Sequence, residues 1–174
     1  MGTLNLGNTG TVNLGTGVAL SSSGNAYSNS ATSWSDAPPG TIIQMVHSSV
    51  TTEQSTSSSS YQDFISCSIT PRSSSSYYHI YVFPIRVEIR TSVEGNVRVS
   101  DGTNVTERYR FQSDSTNGYY NPGPMSWFWT QTQTAGSSVT FTVQCRDGSG
   151  SSSSDITMGD NGSTSRMVIY EIAQ

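Results

Sequence analysis

In the stretch SSVTFTVQCRD, residues 137–147, Val139, Phe141, Val143 and Cys145 share one side of an extended chain and Thr140, Thr142 and Gln144 the other. The same period of two returns in YQDFISCSIT, where Ile65, Cys67 and Ile69 oppose Ser66 and Ser68. It returns again as Ile85, Val87 and Ile89 against Arg86, Glu88 and Arg90. Ile80 and Val82 occupy the other parity, so the pattern slips near Phe83 and Pro84, which predicts a bulge or corner there. GTIIQMVHSSV, ERYRFQS, SWFWTQTQ and SRMVIYEIAQ add further strands, with turn signals at EGN, residues 94–96, and SDGT, residues 100–103. A helical period nowhere persists for ten residues. Eight to ten short strands of this kind predict an all-β, antiparallel sandwich or barrel.

A chain of 174 residues suits one domain with a sizeable core. Its serine runs at 57–60, 73–76 and 151–154 lie between strands spaced as neighbours, so they read as loops inside one unit. A Ser/Asn-rich stretch from 21 ends in DAPPG and marks the one boundary: residues 1–39 form an arm and connector, residues 40–174 the sandwich. In the arm LNLG recurs as VNLG, and Leu4, Leu6, Val12, Leu14 and Val18 alternate with small polar residues. So few apolar residues cannot form an independent core. They are expected to be edge strands, or an extended arm that orders against a partner and attaches the protein to it.

Only 11% of residues are charged, no lysine occurs, and the net charge is −4. No basic stripe is available to neutralise phosphates, which disfavours nucleic acid. The start MGTLNLGNTG lacks the basic and apolar parts of a secretory signal, and no apolar run reaches membrane-spanning length, so a protein made in a cytoplasm without membrane insertion is expected. Cys67 and Cys145 are expected to be buried small hydrophobes rather than a disulfide. His47 and His79 are the only histidines and no Gly-x-Ser-x-Gly elbow is present, so no hydrolase, and no enzyme, is expected. His79 is expected at a surface or interface. Asp147, Asp155 and Asp160 are too widely spaced to resemble a calcium loop, and neither a metal nor a cofactor is expected. The distinctive aromatic stretch is NGYYNPGPMSWFWTQTQ, residues 117–133. Tyr119, Tyr120, Trp127 and Trp129 are candidate glycan contacts; alternatively Trp127 and Trp129, sharing a strand face, complete the core while the tyrosines cover a subunit edge.

GTIIQMV at Gly40, SITPRSSSSYYHIYV at Ser68, RVSDGT at Arg98, SSVTFTVQCR at Ser137 and STSRMVIYEIAQ at Ser163 occur in that order. The set resembles a domain of virion structural proteins and tail-fibre C-termini of bacteriophages, especially marine ones. The resemblance covers Gly40 to Gln174; it departs at Tyr77 and Tyr78, where members often carry a lysine, and at WFWTQTQTAGSS. It implies a jelly-roll-like antiparallel β-sandwich with a short extended N-terminal arm. It also implies a homotrimer with the last strand near the symmetry axis, located in the virion on capsid or tail. In that strand Met167 and Ile169 alternate with Tyr170 and Ile172 on two largely apolar faces, the mark of a central strand or a subunit contact. These four are the candidate trimer contacts. The expected role is a non-enzymatic capsid decoration, short head-fibre or tail-fibre knob protein that aids host attachment. The alternative is a carbohydrate-binding module or adhesin reading host surface glycan through the aromatic loop.

Overall fold

The computed structural model describes residues 12–13, 19–20, 37–83, 87–89, 94–112, 118–120, 123–148, 156–159 and 164–174, and their regular secondary structure is β throughout. In the arm, β1 (Val12–Asn13) pairs with β2 (Ala19–Leu20); Leu4, Leu6, Leu14 and Val18 lie outside the described residues. The remaining strands make eight passes. The first holds β3 (Ile42–Val50) and β4 (Gln54–Thr56), and the second is β5 (Gln62–Ile69). The third holds β6 (Tyr77–Phe83) and β7 (Val87–Ile89), the fourth is β8 (Glu94–Ser100) and the fifth β9 (Tyr109–Gln112). The sixth holds β10 (Gly118–Tyr120) and β11 (Met125–Trp129), the seventh is β12 (Val139–Asp147), and the eighth holds β13 (Ile156–Met158) and β14 (Ser165–Ile172).

Every pairing is antiparallel. The first pass pairs with the eighth, the second with the seventh, the third with the sixth and the fourth with the fifth. The eighth pass then pairs with the third, and the seventh with the fourth. A long hairpin rolled over on itself gives this order, and the fold is a jelly-roll sandwich, as the alternation and the resemblance led one to expect. One layer is the sheet β5-β12-β8-β9. The other passes cross two short sheets in one order, β11-β6-β14-β3 and β10-β7-β13-β4. The parity slip near Phe83 marks this crossing, because β6 ends at Phe83 in one sheet and β7 begins at Val87 in the other.

Between the layers, β11, β6 and β14 contribute Trp127, Trp129, Tyr78, Ile80, Val82, Met167 and Ile169. From the facing sheet come Ile65, Cys67, Ile69, Phe141, Val143, Cys145, Val97 and Val99. Each such side chain fully withdrawn from water stabilises the fold by about 1.5–3 kcal/mol. Tyr78 and Trp129 pack on Phe141, with ring centroids 5.3 and 5.1 Å away. Cys67 and Cys145 are free and buried. Cys67 stands opposite Phe141, four residues from Cys145 on β12, or about 13 Å along a strand, too far for a disulfide. Burial pushes both thiols up, Cys145 to about 12. Phe64 is buried against the alternation of β5 because the β5–β12 register shifts between Val143 and Gln144.

Two turn expectations meet different outcomes. At SDGT, Asp101 Oδ1 accepts the N–H groups of Thr103 and Asn104, at 2.9 and 2.6 Å, and turns the chain after β8. EGN is no turn: Glu94, Gly95 and Asn96 are the first residues of β8, each paired with β9, and Asn96 is fully buried. The expected boundary at DAPPG is a tight turn in which Thr41 N–H donates to Pro38 O at 3.0 Å and Gly40 takes the left-handed conformation, φ 85°. Gly40 N–H donates to Ala173 O and Ala173 N–H to Thr41 O, so the entry of the sandwich is tied to the end of β14.

The serine run at 73–76 is a loop joining β5 to β6, and it has a specific task. Glu171, wholly buried on β14, points its carboxylate into this loop. Oε1 accepts the N–H groups of Arg72 and Ser73, at 2.9 and 3.0 Å, and the Ser76 hydroxyl at 2.8 Å. Oε2 accepts the Gln44 amide, whose nitrogen also donates to Thr70 O. Four donors converge on this carboxyl group, which is what makes a buried acid tolerable.

Candidate functional site

The outward side of the β11-β6-β14-β3 sheet follows from strand parity. Since Tyr78, Ile80 and Val82 face the core, Tyr77, His79, Tyr81 and Phe83 must face out. On β11, buried Trp127 and Trp129 leave Phe128 outward at 63% exposure. On β14 the outward residues are Arg166, Val168, Tyr170 and Ile172, and on β3 they include Met45, 55% exposed, and His47.

Register assembles these into rows. Met45, Tyr170, His79 and Phe128 are successive partners across the sheet, and His47, Val168, Tyr81 and Ser126 form the next row. The rings touch: His79 stacks on Phe128 with centroids 4.2 Å apart and planes 9° apart, and lies 4.2 Å from Tyr81. Tyr81 meets Tyr170 edge-on at 6.4 Å. His79 Nε2 is buried with no hydrogen-bond partner, and burial holds its pKa below the usual histidine range. The ring is therefore neutral at pH 7 and behaves as an aromatic member of the face, which fits the expected surface or interface position.

A groove of about 530 Å³ runs beside this face, between edge strand β11 and the segment 105–109 that leads into β9, the edge strand of the opposite sheet. Tyr109 lies across it, donating its hydroxyl to Ser126 O at 2.9 Å and meeting Trp127 edge-on at 5.2 Å. Glu107, Arg108, Thr130 and Gln131 are exposed along it. The buried Trp127 and Trp129 line its inner side, and their indole N–H groups have no protein partner.

The four residues expected to contact glycan divide between two sheets. Trp127 and Trp129 are core residues, as their shared parity allowed, and cannot present open ring faces to a sugar. Tyr119 and Tyr120 belong to β10, paired with Glu88 and Val87 of β7 in the other short sheet. The expected trimer contacts also divide. Met167 and Ile169 are fully buried between the layers and are removed from any subunit surface, while Tyr170 and Ile172 are outward and half-buried. Both faces of β14 are apolar because it is a central strand, flanked by β3 and β6. Sequence reading missed Met45, Tyr81, Phe83 and Phe128 as surface residues. The signal was available in YYHIYVF, where both parities carry large side chains although only one can enter the core.

Asp147 is buried at the end of β12, and Asp155 and Asp160 lie outside the described residues. Among the described residues no three His, Cys, Asp or Glu side chains gather as metal ligands would.

No family model and no curated protein sequence matches the chain. Among solved structures it is similar to the crystal structure of the infectious bursal disease virus VP2 subviral particle, with a TM-score of 0.30 and 12% identity. That similarity covers 76% of this chain, which spans 38% of the length of the VP2 chain. The assignment as a jelly roll rests on this chain's own strand order.

Proposed function

We propose that this chain is a non-enzymatic structural protein of a bacteriophage virion, a decoration or short-fibre knob that assembles as a homotrimer through the outward face of the β11-β6-β14-β3 sheet. The observation that carries the proposal is that face. Met45, Tyr170, His79, Phe128, Tyr81 and Phe83 form a continuous aromatic and apolar surface on a chain rich in serine, threonine and asparagine. Soluble monomers rarely leave so contiguous a patch open, and interface centres are enriched in these residue types. Tyr170 and Ile172, outward on β14, are the two candidate trimer contacts that such a face would use. Jelly rolls are frequent in capsid proteins, although a fold by itself does not decide function. The sequence resemblance to phage virion proteins supplies the biological setting. The arm residues Leu4, Leu6, Val12, Leu14 and Val18, preceding the Pro38–Thr41 turn, are the proposed attachment to capsid or tail.

The test is the mass in solution, by light scattering behind size exclusion. Three times the 18.7 kDa chain mass is expected for the full chain, and a monomer for Met45→Glu, which places a charge on the exposed edge of the face. A monomeric unsubstituted chain at every concentration would refute the homotrimer.

A further inference from the structure

We infer that the groove between β11 and the 105–109 segment is a binding site for a neutral saccharide. This goes beyond the assembly reading: the groove lies between the edges of the two layers, and a monomer would retain it.

Volume comes first. About 530 Å³ falls within the range of small-ligand sites and is room for one or two sugar rings. Chemistry comes next. Sugars present a C–H face that packs on aromatic rings and a rim of hydroxyls that needs donors and acceptors. The groove supplies both. Tyr109, 41% exposed in the groove, supplies an aromatic ring. Thr130, Gln131, Arg108 and Glu107 furnish a hydroxyl, an amide, a guanidinium and a carboxylate along the rim. Trp127 and Trp129 line its inner side, which makes their indole signals reporters of its occupancy. Charge selects the class. One arginine and one glutamate cancel, and the chain carries −4 overall, so nothing favours a phosphate or sulfate. A glycan site is thus placed on Tyr109, Arg108 and Gln131, of which only Gln131 belongs to the aromatic stretch 117–133.

The full chain, labelled with 15N, tests this through the indole N–H signals of its three tryptophans, Trp34, Trp127 and Trp129. The probes are cellobiose, lactose, mannobiose and chitobiose in millimolar excess, with a sulfated heparin disaccharide as the charged counterpart. At least one neutral disaccharide is expected to show saturation transfer from the protein and to shift two indole signals. Arg108→Ala and Gln131→Ala, both at exposed positions, are expected to weaken that response several-fold and Tyr109→Ala at least tenfold. Tyr109→Phe, which keeps the ring, should remain within about threefold, and Arg98→Ala, on the opposite sheet, should match the parent. The inference fails if no neutral disaccharide responds or if only the heparin disaccharide does. It fails equally if the response survives Arg108→Ala, Gln131→Ala and Tyr109→Ala unchanged. Indole signals that move with protein concentration alone, without saturation transfer, would mean that a second copy fills the groove, and would also refute it.

Discussion

The two layers of the roll have outward faces of opposite character. On the β5-β12-β8-β9 sheet, small hydroxyls pair across strands: Ser66 with Thr142 at 2.9 Å and Ser68 with Thr140 at 2.8 Å. Gln144 donates to Asp63 at 2.7 Å and accepts from Arg98 at 3.0 Å, while Arg98 and Arg146 cover the Tyr61 ring at 3.6 and 4.8 Å. Arg110 and Glu94 form an ion pair at 2.7 Å. The polar groups of that face pair largely within one chain, although Asn96 Oδ1 and Arg146 Nε are left without a hydrogen-bond partner. The β11-β6-β14-β3 sheet does the reverse: rings and aliphatic chains dominate its outward side, with Arg166, His47 and Ser126 among them, and its buried acid, Glu171, is on the inside. A polar surface already largely satisfied gains little from a partner, whereas an apolar one gains with every ångström of area covered. The asymmetry between the layers thus points to a single side for assembly.

The strongest blow to this contrast is at Glu171. Glu171→Leu should cost about 2–4 kcal/mol in urea unfolding, because the N–H groups of Arg72 and Ser73, the Ser76 hydroxyl and the Gln44 amide lose their common acceptor. Glu171→Gln should cost less, since one carbonyl oxygen remains. A direct comparison of the faces comes next. Met45→Glu is expected to weaken self-association at least a hundredfold, while Thr142→Asp on the other face leaves the mass unchanged; equal effects would erase the distinction. Acidification sharpens it further. With the pKa of His79 lowered by burial, the unfolded ring takes a proton first as the pH falls. The contribution of His79 is complete above about pH 6.5 and declines below that until the pKa of the folded state has been passed. Its neighbours in the row, Met45, Tyr170 and Phe128, offer no counter-charge. Stability of the fold should therefore decline as the pH falls below about 6.5, and His79→Phe should flatten that dependence. The smallest effect belongs to the closed face: removing either member of the Ser66–Thr142 pair should cost no more than about 1 kcal/mol, with a coupling of a few tenths in a double-mutant cycle.

Much of the roll was legible from the alternation in residues 61–70, 80–82 and 139–145, because a strand with one apolar parity has one way to face a core. The slip at Phe83 was legible for the same reason, as a change of parity along one pass. EGN misled, because a glycine and an asparagine favour turns locally, whereas pairing with β9 and β12 holds Gly95 and Asn96 in a strand. Trp127 and Trp129 drew attention as an aromatic cluster, yet their period of two already placed them together on one side. The groove at Tyr109 was not legible. It joins residues near 105–109 to residues near 126–131 across the edges of two layers, a juxtaposition that no local pattern encodes.

The carboxylate cradle at 72–76 also constrains the order in which the molecule can be completed. Strand β14 follows, along the chain, every element it touches, and it fills the slot between β3 and β6 while bringing the acceptor for the serine loop. Until β14 leaves the ribosome, β3 and β6 lack their common neighbour and the loop lacks its acceptor. The first seven passes therefore wait with two unpaired strand edges, a state prone to mispairing. Closing the roll is a late, long-range event that a single carboxylate locks.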